Sequence, residues 1–164
     1  MFSVGEFIVH PGQGVCKVEG VVEEPFAVYQ LMPVGQRHPM RISYPLASAD
    51  KLRPILSRQE AIEIINEYPE MSVDPYTGKS NAIEEEHFRQ KIRTGSCKDS
   101  VRIVKTFRKR IADTRARNKK PPVVYERILK QASQRSLEEL AVALEMTPDD
   151  VRLLFEQRVD ESEN

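Results

Sequence analysis

Tryptophan is absent from this chain, and cysteine and histidine are scarce, with two and three copies in 164 residues. Without an indole, no contact can depend on that ring. Cys16 and Cys97 lie far apart in segments of different character. That excludes a disulfide scaffold and a zinc site, and fits two thiols kept in a reducing compartment. His10, His38 and His87 are scattered, none with a partner at metal-ligand spacing. No run reaches the roughly 18 apolar residues of a membrane span, and the N-terminus lacks the basic-then-apolar layout of a secretion signal. A cytoplasmic protein without membrane contact is expected. A phosphate loop is missing too, because Gly12-Gln13-Gly14 has neither the spacing nor the following Lys-Ser/Thr. Glu84-Glu85-Glu86 are consecutive and share no helix face, so they are not a catalytic pair. The expectation is a non-enzymatic protein with no cofactor, no metal and no small-molecule substrate.

Charge of one sign is lacking only in sum. The formal net charge is zero, yet residues 96–135 carry thirteen Lys and Arg against three Asp and Glu, a local +10. Residues 136–164 carry two against nine, a local −7. A basic block followed by an acidic end marks residues 96–135 as a candidate polyanion surface.

The chain has β character up to about Pro54. Strands are expected at Glu6–His10, Val15–Glu23, Phe26–Met32, Met40–Pro45 and Lys51–Ile55, with Pro25, Pro33, Pro39 and Pro45 between them or at their ends. Pro11 must end the first strand, and Gly12 and Gly14 allow the positive φ of a sharp reversal. His10 sits in this turn, where packing or a backbone hydrogen bond suits its ring better than catalysis. Five short strands with frequent proline suit a small bent barrel.

The pattern changes at Ser57, where Ser57-Arg58-Gln59-Glu60 forms a capping box for a helix that Pro69 ends. Asn81 is the expected cap of a second helix, stopped by Gly95. A third helix is expected to begin at Asp99 or Ser100 and run to about Asn118. A fourth follows Pro121-Pro122, and a fifth opens at Thr147-Pro148-Asp149-Asp150. The fold class expected is α+β, with a five-stranded β-barrel over residues 1–55, an all-α helical bundle over 56–160 and a disordered tail at 161–164.

The order Phe2-Ser3-Val4-Gly5-Glu6-Phe7-Ile8-Val9-His10-Pro11-Gly12-Gln13-Gly14-Val15 resembles the opening of the CarD/CdnL family of bacterial transcription regulators. It also resembles the polymerase-interacting domain of the transcription-repair coupling factor. Met40-Arg41-Ile42-Ser43-Tyr44-Pro45 sits where that family has an aliphatic strand ending in proline. Ala49-Asp50-Lys51-Leu52, Arg93-Thr94-Gly95-Ser96 and Glu139-Leu140-Ala141 extend the likeness toward full length, more loosely across the helices. The resemblance implies a Tudor-like barrel that docks on the RNA polymerase β subunit. It also implies a helical domain near promoter DNA at the upstream edge of the bubble. The implied effect is to tune the open promoter complex. Met40, Arg41, Ile42 and Ser43 are the candidate polymerase contacts, since an exposed strand edge can accept a partner strand.

For DNA, the segment from 98 to 118 gives the sharpest pattern. Val101, Val104, Phe107 and Ile111 fall on one helix face, with Lys98, Arg102, Lys105 and Lys109 on the other and Arg108 flanking. A solvated helix face is normally charged, but usually with mixed signs. This one leaves its cations mostly unpaired within the helix, and the acidic end can pair with them in cis or in a partner. Family members carry Asn-Trp followed by basic residues at the start of the second helix of the helical domain. The resemblance implies that this tryptophan wedges against the minor groove. Here the segment reads Asn81-Ala82-Ile83-Glu84-Glu85-Glu86, so Ile83 is the candidate wedge and the acids oppose phosphate. Two readings stay open: a regulator with non-specific DNA contact, and a polymerase-binding adaptor without it. Ser136–Ala141 with Thr147–Leu154 has the cadence of a helix-turn-helix. The second helix carries too few basic or amide groups for base readout, so it is read as bundle packing.

Overall fold

The computed structural model describes residues 1–163. The chain divides into two compact units, residues 1–56 and 57–164. The first holds strands β1 (Phe7–His10), β2 (Gly14–Val22), β3 (Val28–Pro33), β4 (Ile42–Pro45) and β5 (Arg53–Pro54), with a 3-10 turn at Leu46–Lys51. All pairings are antiparallel in the order β4-β3-β2-β1-β5. The fold is therefore a five-stranded antiparallel sheet with β4 and β5 at its edges, and these pairings do not close it into the barrel expected. The segment around Lys51 spends its residues on the 3-10 turn, which leaves β5 only two residues to pair with β1.

Alternation along the strands puts Ile8, Cys16, Val18, Tyr29 and Leu31 in one core, which Leu52 completes. The reversal after β1 uses the left-handed region at Gly14 (φ 77°) and not at Gly12. The His10 ring stabilises that turn, its Nδ1 accepting from the amides of Gly12 at 2.9 Å and Gln13 at 3.1 Å.

The second unit holds α1 (Arg58–Glu67), α2 (Asn81–Thr94), α3 (Cys97–Ala116), α4 (Val123–Leu144) and α5 (Pro148–Glu163). Ser57 and Glu60 form the reciprocal capping box read from the sequence, and their bonds hold the exposed Glu60 carboxyl below its usual range. Ser80 caps α2, so Asn81 is the first helical residue and not the cap. Helix α3 starts earlier than expected because Ser96 and Asp99 form a second capping box. Residues 161–163, expected as part of a tail, continue α5, and Asn164 lies outside the described residues.

The core of this unit gathers Phe88, Ile92, Ile103, Val104, Phe107, Val124, Ile128 and Ala132 from α2, α3 and α4. Val151 and Phe155 bury the inner face of α5, and Phe155 meets Tyr68 edge to face at 5.1 Å. That is the packing expected of the segment with helix-turn-helix cadence.

Candidate interaction surfaces

Strand β4 has a partner, β3, on one side only. Ile42 packs partly into the sheet core, while Ser43 lies exposed, its hydroxyl donating to Gln30 Oε1 at 3.3 Å. Tyr44 donates to the Ser48 carbonyl at 3.0 Å, and its ring meets His10 edge to face. Burial, helped by the Asp50 charge, raises the Tyr44 hydroxyl pKa. Ahead of the strand Met40 is 79% exposed, and Arg41 reaches Glu19 on β2 at 2.9 Å across open surface. Such a pair is worth little to stability. Arg41 is thus available to a partner at the cost of one weak contact. The strand edge and the chain just before it thereby bring Met40, Arg41, Ile42 and Ser43 together.

The basic face of α3 is organised differently from its sequence pattern. Lys98 pairs with Glu67 of α1 at 2.8 Å, and Lys109 with Asp113 one turn on at 3.0 Å. Lys105 is half-buried, its ammonium donating to the carbonyls of Tyr68 at 2.7 Å and Pro69 at 2.9 Å, and lying over the Tyr68 ring. Burial lowers its pKa, opposed by the Glu70 charge. Arg102 is half-buried and its Nε has no hydrogen-bond partner. Arg108 is exposed. The cations expected to be mostly unpaired are largely engaged by α1, the Tyr68–Glu70 turn and Asp113. Of the group, Arg108 alone stands exposed with no ion pair among the described residues.

Ile83 lies on the first turn of α2 and is 48% exposed. Two of the three acids beside it, Glu84 and Glu85, are taken up internally. Glu84 pairs with Arg110 at 2.6 Å and accepts from the Gly78 amide, and Glu85 pairs with Arg89 at 2.7 Å and Arg127 at 2.8 Å. The Arg127 hydrogen bond lowers the Glu85 pKa, although burial opposes it. Behind them, Asp74 is buried, which by itself would raise its pKa. The Lys91 bond at 2.7 Å and the Tyr76 amide outweigh burial and hold it below its usual value.

Sequence reading missed this network. Apart from the one-turn Glu85–Arg89 pair, its ion pairs join residues 17 to 42 positions apart, and periodicity within one helix carries no trace of those. Among the described residues no His, Cys, Asp and Glu cluster could hold a metal, and no helix is long and apolar enough to cross a membrane.

Residues 2–56 match the family described as the CarD-like/TRCF RID domain. The N-terminal unit is a CarD-like/TRCF RNA polymerase-interacting domain. The match spans the sheet and both of its edges, and stops where the helical unit begins. No curated protein matches the chain. An RNA polymerase-interacting domain, a protein-binding module, gives the chain polymerase as partner and a role related to transcription.

Proposed function

We propose that this chain docks its RID domain on the polymerase β subunit through the edge of β4. In this reading the helical unit touches promoter DNA phosphates without sequence preference, near the upstream edge of the bubble. The effect is to tune the stability of the open complex. The observation that carries the docking arm is the unpaired β4 edge within a domain of polymerase-interacting type, flanked by exposed Met40 and weakly held Arg41. Two modest contacts joined in one chain reinforce each other by effective concentration. The rival reading, an adaptor without DNA contact, draws on the engagement of Lys98, Lys105 and Lys109 inside the unit.

Co-purification of the full chain with core polymerase and with an isolated β fragment tests the docking arm. Wild type is expected to co-purify with both, and Arg41→Glu to bind weakly while keeping its circular dichroism. Unchanged binding by Arg41→Glu together with a Ser43→Lys variant would move the contact away from β4. Promoter-complex lifetime, measured with and without the chain, separates tuning from docking alone.

A further inference from the structure

We propose that the turn joining α3 to α4, Arg115-Ala116-Arg117-Asn118-Lys119-Lys120, is the phosphate-gripping surface of the helical unit, and that its ligand is the backbone of duplex DNA. The proposal rests on the DNA arm of the reading above and replaces the α3 stripe as the place of contact.

Four of these six residues are cationic, and all six are exposed. Arg117, Lys119 and Lys120 make no ion pair among the described residues, and Arg115 reaches only exposed Glu126 at 3.4 Å. Backbone bonds close the turn. Asn118 takes the left-handed conformation (φ 59°), its amide donates to the Arg115 carbonyl at 2.9 Å, and the Lys119 amide donates to the Thr114 carbonyl at 3.1 Å. That is a Schellman ending, which needs only the Asn at its left-handed position. Pro121-Pro122 then restricts the exit. Like charges packed this closely repel one another and add nothing to the turn. A ligand dense in negative charge offsets that repulsion, and a rigid turn loses little entropy on meeting it.

The surroundings fit the same ligand. Arg110 to Glu84 and Arg127 to Glu85 tie the second half of α3 and the start of α4 to the first turns of α2. Ile83 and Val123, 48% and 66% exposed, therefore lie at the same end of the unit as the basic turn. Exposed aliphatic groups beside cations suit a groove edge, where an apolar side chain abuts the bases while cations hold phosphates. The same ion pairs neutralise Glu84 and Glu85, two of the three acids that would oppose phosphate, while exposed Glu86 keeps a looser pair with Arg89 at 3.7 Å. Lys98, by contrast, sits about 28 Å along the α3 axis from Arg117 at 1.5 Å per residue.

The test is fluorescence anisotropy of the full chain on a short mixed-sequence duplex over a range of salt concentrations. It compares wild type, Arg117→Ala/Lys119→Ala/Lys120→Ala and Lys98→Ala/Arg102→Ala, with polymerase co-purification as a parallel readout. Each lost phosphate contact removes roughly 0.9 from the log–log salt slope, so the turn variant should lose about 2.7 and the stripe variant far less. A turn variant that keeps the wild-type slope overturns the proposal, and if the stripe variant loses slope instead, the DNA arm survives at α3. Wild type with no salt-dependent duplex binding removes the DNA arm and this proposal together, while co-purification reports separately on docking. A turn variant that loses polymerase and not DNA also overturns it, and assigns the turn to an acidic protein surface.

Discussion

Arg110 reads in the sequence as one more cation on the flank of α3, and the fold packs it against aromatic rings of the helical unit. Its guanidinium donates to Glu84 at 2.6 Å and to the Tyr76 carbonyl, and lies 4.8 to 5.8 Å from the centroids of the Phe107, Phe88 and Tyr125 rings. Its side chain and that of Glu84 are only 18% and 10% exposed. Arg110→Ala leaves the Glu84 carboxylate enclosed and unpaired, a loss of about 3 kcal/mol, at the low end for a buried pair because water still reaches its rim. Arg110→Lys keeps the charge but not the planar fork and should fall between. Urea unfolding followed by far-UV circular dichroism measures both, and a loss under about 1 kcal/mol would demote the pair to surface strength.

Glu138, half-buried on α4, has its pKa raised from 4.5 to about 7 by burial, with Arg135 opposing. The folded state keeps a proton that the unfolded chain releases near 4.5, so this contribution is present below that pH and lost as pH rises toward about 7. Thermal melts of Glu138→Gln should gain stability over wild type at about pH 8 and little at about pH 5. A gain equal at both values would separate Glu138 from any pH dependence.

At the scale of elements, the junction of α2 and α3 is built by close approach. Gly95 has φ −87°, open to any residue, yet a Cβ there would stand 2.5 Å from the Lys91 carbonyl oxygen and 2.7 Å from Asp99 Oδ2. Asp99 is held in place by its own capping box with Ser96, so the crowding cannot be relieved without undoing the start of α3. Gly95→Ala is expected to cost about 2 kcal/mol, an overpacking effect, and Ser96→Ala about 1 kcal/mol, the usual loss of a cap. If Gly95→Ala proves the milder of the two, the junction is looser than this geometry requires.

For the whole molecule, the division at Leu56 and Ser57 separates two cores, one of strands and one of helices. The sheet core around Ile8, Val18, Tyr29 and Leu31 draws every member from residues 2–52. Residues 1–56 expressed alone are therefore expected to fold as β structure and to retain polymerase binding, as measured by circular dichroism and co-purification. A folded fragment that fails to bind, with binding found in residues 57–164 alone, would place docking in the helices.

The sequence by itself determined the local features. Strand alternation, proline stops, the capping box at Ser57, the helix start at Thr147 and the change of period after Pro54 depend on neighbours within a few positions, so they can be read without the fold. The opening motif carried the RID domain for the same reason. Tertiary structure decided which cations are spent and which remain. Lys98, Lys105 and Arg110 look alike in a helical repeat, but the partners that engage them come from α1, the Tyr68–Glu70 turn and the first turn of α2. Burial and ion pairing depend on chain segments far apart in sequence. Only their meeting in the fold leaves the turn at Arg115–Lys120 with charge to offer.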